Sequence, residues 1–318
     1  MIASGHTESR YNVIEPASHS LHACRNVDEF LPQFEAAVQC RVQNIADHVI
    51  APGAPKAILL VGSLPLGMAN SGSDIDLFVL VDSRSALHVD EQRGINSDQR
   101  LEFANDSDAL LAGEFAALSS GLLVDLHVVI TPTIRNIYRR LRRKGPELTE
   151  GEVRTLGRLS TAWLLWQSED YLKQHDVVLK NDVLNVYCCT KHFVSALVHR
   201  RKAEQALDLN DTPLALHLAR ISVEAAYLAY FAREGMPFLG SKWPAQISRA
   251  REAAERCARH PLLTQGRRLL FPTFTSSTAE AAVYLREVRV FIAAMQSLIE
   301  EKVLFRIAFR ACAQIASA

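Results

Sequence analysis

The residues best placed to do chemistry lie in one stretch, Val61-Gly62-Ser63 followed ten residues later by Asp74-Ile75-Asp76-Leu77. Asp74 and Asp76 are two apart at the start of an apolar run. If that run is a strand, both carboxylates project from the same face. Two such groups about 4 Å apart repel by roughly 4 kcal/mol at an effective dielectric near 20, so a fold that keeps them together needs a proton or a cation between them. A divalent ion with an incomplete oxygen shell, Mg²⁺ above all, meets that need and leaves positions for phosphate oxygens. Gly62 and Ser63 form a turn where backbone amides and a hydroxyl can approach a phosphate with no Cβ in the way. A further acid, Asp125, sits in the apolar run Leu122–Ile130, with His127 two residues on and sharing its face.

These residues require strands at about 57–61, 75–81 and 122–130, which their β-branched and aliphatic composition predicts. A further strand is expected at 99–104 and a helix from about Ser107 to Ser119. A first helix is predicted over Val27–Ile50, opened by Asn26 with Glu29 three residues on. Pro52, Gly53 and Pro55 end it. Beyond Thr131 the apolar residues recur at helical spacing. Ile134, Ile137, Tyr138 and Leu141 form one stripe, and Thr149 with Glu152 forms a capping box opening a helix that contains Leu156, Leu159, Trp163 and Trp166. Helices are also expected over the run from Val183 to Leu197, over 213–233 before Gly235 and Pro237, and from Ser277 for more than thirty residues. The fold class is therefore α+β: a small mixed sheet with helices over residues 1–131, then an all-α bundle over 132–318.

An Asp-x-Asp after a strand also holds the diphosphate in metal-dependent glycosyltransferases. Those proteins place about a hundred residues of nucleotide-binding fold before it and need no Gly-Ser turn, whereas some seventy residues precede it here. With its hydrophobic-Gly-Ser element, ten-residue gap, Asp-hydrophobic-Asp-hydrophobic element and later strand acid, the segment resembles the nucleotidyltransferase superfamily typified by DNA polymerase β and kanamycin nucleotidyltransferase. The resemblance covers about residues 45–130. It implies an enzyme that moves a nucleoside monophosphate, AMP first among them, from an NTP to an acceptor hydroxyl with release of pyrophosphate. Asp74, Asp76 and Asp125 would be the catalytic and metal-binding acids, holding one or two Mg²⁺ ions, with Asp125 either completing the second site or serving as general base. Gly62, Ser63, Ser73 and Lys242 would bind the nucleotide, ATP in the first instance, and residues 64–73 would cover it. The helical half is similar to the domain that accompanies such modules in antibiotic nucleotidyltransferases and in minimal nucleotidyltransferase–HEPN pairs, and Lys242-Trp243 is the element of it that would reach the triphosphate or acceptor. The implied acceptor is an aminoglycoside-like small molecule. A tRNA or protein acceptor, as in toxin-type relatives, and a relic that binds nucleotide without catalysis stay open.

Composition narrows the field further. Thirty-five basic and 35 acidic residues give no net charge, which argues against a general nucleic-acid binder. A local basic face remains: Arg135, Arg139 and Arg142, with Arg140, Arg143 and Lys144 alongside, read as a solvated helix face or as a contact for a phosphate-rich partner such as tRNA. Apolar runs such as Ala57–Val61 and Leu77–Val81 stop at about five residues, far short of a membrane span. The first twenty residues, with Glu8 and Glu15 and no apolar stretch, predict no secretory signal and hence the cytoplasm. The six cysteines show no C-x-x-C pair and read as reduced, mostly buried thiols.

Overall fold

The computed structural model of the chain describes residues 21, 24–38, 41–47, 55–67, 69, 73–83, 101–106, 110–117, 122–142, 148–168, 182–237, 261–272 and 277–302, with the backbone alone described at 45–47, 101–106, 110–117, 122–123 and 142. Helices α1 (Val27–Val38) and α2 (Val42–Asp47) precede the sheet. Asn26 caps α1, its Oδ1 accepting from Glu29 N at 2.9 Å while its Nδ2 donates to Glu29 Oε1 at 3.1 Å. The expected single helix over 27–50 is thus two, and Glu35 Oε1 accepts from the amide of Val42 where the second begins.

Among the described residues, six strands form one mixed sheet: β1 (Ala57–Val61), β2 (Ile75–Val81), β3 (Leu101–Asp106), β4 (Leu110–Ala117), β5 (Leu122–Ile130) and β6 (Trp163–Gln167), in the order β3-β4-β5-β2-β1-β6. Only β2 and β5 run parallel; the other neighbours are antiparallel. Two elements correct the sequence expectation. Residues 110–117, expected within a helix, form β4 between β3 and β5, and residues 163–167, expected as the end of a helix, form β6 on the free edge of β1. In both, pairing with a neighbouring strand outweighs local propensity. The sheet therefore reaches past residue 131.

Helices α3 (Thr131–Arg142) and α4 (Glu150–Ser160) follow β5. The Thr149–Glu152 capping box forms as expected, with both reciprocal hydrogen bonds present. Helices α5 (Asp182–Asp208), α6 (Thr212–Arg233), α7 (Pro261–Leu270) and α8 (Thr278–Glu300) make up the helical part. Helix α8 spans 23 residues, shorter than the thirty expected. Among the described residues, no helix is long and apolar enough to cross a membrane.

Both faces of the sheet are covered, so β1 and β2 are nearly continuous apolar runs. One face, with Ile58, Leu60, Leu77, Val79, Leu126 and Val128, packs on Phe30 and Phe34 of α1. The other, with Leu59, Val61, Phe78, Leu80 and Val129, belongs to a core that continues through α3 and α4 into the helical part. The described cysteines, Cys24, Cys188 and Cys189, are buried and free. Burial pushes the thiols of Cys188 and Cys189 up to about 12, which keeps them protonated and unreactive.

Candidate active site

Strand pairing decides which acids meet. Because β2 and β5 run parallel in register, Asp76 lies directly beside Asp125, and Phe78 beside His127. Parity sends Asp76 to the same face as Phe78 and Leu80, and Asp125 and His127 to that of Val129, the face on which the helical part packs. Val61 pairs with Asp76 on the other side, so the turn that begins at Gly62 opens against the Asp76 carboxylate.

Gly62 is the residue that permits this approach. Its φ of +84° lies in the left-handed region, and a Cβ built on it would run into Asp76 Oδ2 and stand 3.0 Å from Asp76 Cγ. The turn continues to Gly67, also at positive φ, whose amide donates to the carbonyl of Leu64 at 2.9 Å. Ser63 sits at its mouth, half-buried.

Asp76, Asp125 and His127 each offer a ligand atom, and these atoms lie within 4.8 Å of one another. Two ligands about 2.1–2.4 Å from one ion stand at most about twice that distance apart, so the group is compact enough to share a divalent cation. Two carboxylates also need a counter-charge, and the buried Nδ1 of His127 has no hydrogen-bond partner among the described residues. The donor set fits a divalent ion. Asp125 and Asp76 are hard oxygen ligands of the kind Mg²⁺ takes, and an imidazole nitrogen widens the range toward Mn²⁺.

A cation already stands in the cluster. Arg158, near the end of α4, places Nη1 3.4 Å from Asp76 Oδ1 and 3.4 Å from His127 Nε2. His127 Nε2 is in turn 3.6 Å from the same Oδ1. The guanidinium carbon lies 5.9 Å from the centre of the Phe78 ring, whose edge-on neighbour at 5.5 Å is His127. Arg158, Asp76 and His127 keep 21, 16 and 16% of their side-chain exposure, enough for a ligand to reach them from solvent.

Of the residues predicted from the sequence, Asp76 and Asp125 come together, and Gly62 and Ser63 adjoin them. Asp74 is exposed, one residue ahead of β2, and is not in the group formed by Asp76, Asp125 and His127. Ser73 precedes it, half-buried. Lys242 and Trp243 lie outside the described residues. His127, which the sequence places on the face of Asp125 but not among the expected metal ligands, joins the group. Arg158 carried no signal beyond its place in a helix. On α3, Ile134, Ile137, Tyr138 and Leu141 are buried as expected. Arg140 pairs with Glu152 of α4, so that one of the basic residues holds two helices together.

A glycine turn stands against a carboxylate, with acids from two parallel strands beside it. Residues 43–144 match the family model described as nucleotidyltransferase domain, and this part of the chain belongs to the nucleotidyltransferase superfamily. Domains of this class take an NTP as substrate and move its nucleoside monophosphate. Among solved structures, the chain is similar to a nucleotidyltransferase-like protein from Exiguobacterium sibiricum 255-15, with 14% identity, 86% of this chain and 79% of that chain covered, and a TM-score of 0.41. No curated protein matches the chain.

Proposed function

We propose that the protein is a Mg²⁺-dependent nucleotidyltransferase that moves a nucleoside monophosphate, AMP first among them, from NTP to a hydroxyl of a small, hydroxyl-rich acceptor of the aminoglycoside kind. The observation that supports this most is the meeting of Asp76 and Asp125 beside the Gly62 turn, on the sheet face that the helical part covers. Asp76 and Asp125, with His127, would hold the ion, and Asp74 at the open end of β2 would add a ligand from the solvent side. When bound, the ion neutralises triphosphate charge and polarises the α-phosphate. The acceptor oxygen attacks the α-phosphorus, the bond to the bridging oxygen of the β-phosphate breaks, and pyrophosphate leaves. Asp125 takes the hydroxyl proton. Ser63 and Ser73 with the amides of the turn would hold the outer phosphates. Lys242 is assigned to the triphosphate or acceptor, which makes the sheet region to about residue 131 the catalytic part and residues 132–318 the acceptor-binding part. We place this chemistry in the cytoplasm, where NTPs are available.

The Arg158 guanidinium on Asp76 favours a second reading, a binding module whose metal position has been taken by an arginine. Incubation of the chain with [α-³²P]NTPs and Mg²⁺ against aminoglycosides, tRNA and cell extract separates the readings. Label on a small molecule supports the first, label on tRNA or protein moves the acceptor to a macromolecule, and NTP binding without label on anything supports the module. Asp125→Asn is expected to abolish any label.

A further inference from the structure

The contact between Arg158 and Asp76 differs in kind from a structural ion pair. On the neighbouring helix, Arg140 closes tightly on Glu152 through Nη1 and Oε1, with Nη2 3.4 Å from Oε2. Arg158 instead presents one Nη1 to both Asp76 Oδ1 and His127 Nε2 at 3.4 Å, well beyond the 2.7–2.9 Å typical of a strong charge-assisted bond. Charge, rather than a directed fork, dominates that contact. The oxygen that faces Arg158 is also the one that faces His127, since both measure to Asp76 Oδ1. A divalent ion bound to Asp76 through that oxygen would meet the guanidinium charge there, and two cations cannot share it cheaply. Arg158 is carried by α4, whose start is fastened by the Thr149–Glu152 box and whose end runs into β6 on the edge of β1. A guanidinium displaced from Asp76 therefore stays beside the Gly62 turn. Its planar fork and weak hydration suit phosphate oxygens. Residue 158 lies beyond the 43–144 stretch that matches the family model.

We propose that Arg158 is a phosphate-binding residue that serves as resident counter-ion of the acid pair until a metal–nucleotide complex arrives, when it yields Asp76 to the ion and takes up the triphosphate. The proposal rests on the nucleotidyltransferase reading. It predicts opposite signs for two ligands. In Arg158→Gln, Mn²⁺ measured by the EPR signal of the free ion binds about tenfold tighter than in the wild type, because its competitor is gone. Inorganic tripolyphosphate, titrated in EDTA by calorimetry, binds about tenfold more weakly, a shift of about 1.4 kcal/mol in each case. Mn²⁺ affinity that is unchanged or weaker in Arg158→Gln, or unchanged tripolyphosphate affinity, overturns it. Should Arg158→Gln fail to fold, Arg158→Lys serves: its more strongly hydrated head leaves Asp76 more readily, so Mn²⁺ binds a few-fold tighter, and an unchanged constant overturns the proposal. Asp76→Asn separates this from failure of the underlying reading. Mn²⁺ bound by the wild type and lost in Asp76→Asn keeps the metal site whatever Arg158 does, whereas no Mn²⁺ binding by any of the proteins removes the site and the proposal together.

Discussion

The sheet and the helical part dispose of their polar groups in opposite ways. Between the helices, three buried hydroxyls are tied to main-chain carbonyls of a neighbouring helix: Ser222 Oγ donates to Ala196 O at 2.7 Å, Tyr284 to Leu269 O at 2.7 Å and Tyr227 to Leu263 O. Charge there sits in i, i+4 pairs such as Arg200–Glu204 and Arg220–Glu224. At the sheet, Asp76, His127 and Arg158 crowd one half-buried spot at 3.4–3.6 Å, too far for strong bonds, with Asp125 beside them. Satisfied polar groups make structure, whereas partly satisfied charges hold free energy in reserve for a ligand.

The contrast breaks most decisively at Asp76. Asp76→Asn is expected to lower labelled-nucleotide transfer by about 100- to 1000-fold, the several kcal/mol that metal stabilisation of the transition state supplies. Thermal unfolding should shift by no more than about 1 kcal/mol, because the substitution relieves repulsion from Asp125 while it weakens the pair with Arg158. A large loss of stability would place Asp76 among the structural groups instead.

In the helical part, His192 on α5 carries a pH effect on the acid side of neutrality. Burial first, then the charge of Lys191, lowers its folded value to about 4 from the ordinary 6.5. Between those values the unfolded chain binds the proton and the folded chain does not. The stability contribution is therefore complete above about pH 6.5 and drains away as the pH falls through 4, by roughly 3 kcal/mol in all. Urea unfolding from pH 7 to 4 measures this, and His192→Gln should flatten that part of the profile.

Gly266→Ala tests the packing of α7 against its neighbours. A Cβ there would stand 2.6 Å from Phe291 Cζ and from Tyr227 Cε2, so the rings must shift at a cost of about 1–3 kcal/mol. Transfer activity per folded molecule should stay at the wild-type level. The smallest effect links the two regions: Thr149→Ala removes the cap of α4 and costs about 1 kcal/mol. Because α4 carries Arg158, the variant should also weaken tripolyphosphate binding slightly, whereas Gly266→Ala should not.

What could be read from the chain follows the range of the forces involved. The caps at Asn26, Thr149 and Ser277 depend on atoms three residues apart, and each forms as its residues foretell. Strands β1, β2 and β5 declare themselves through unbroken aliphatic runs. The segments Leu110–Ala117 and Trp163–Gln167 do not, because Leu, Ala and Glu suit a helix and only pairing with β5 and β1 makes strands of them. The same limit governs the site. Asp76 and Asp125 were legible because each lies in a readable strand, but the guanidinium beside them comes from a helix whose approach is set by tertiary packing. His127 shows the intermediate case: its face was predictable, its company was not.

Strand β6 has a further bearing on how this chain could be dissected. A fragment trimmed to the family-matched stretch ending at residue 144 would keep both strand acids yet expose the whole outer border of Ala57–Val61, five buried aliphatic residues with unpaired amides and carbonyls. Such borders recruit the matching border of another molecule. The excised module would therefore associate edge to edge and come out of solution, so that solubility on truncation depends on a five-residue strand contributed from well beyond the acids it shields.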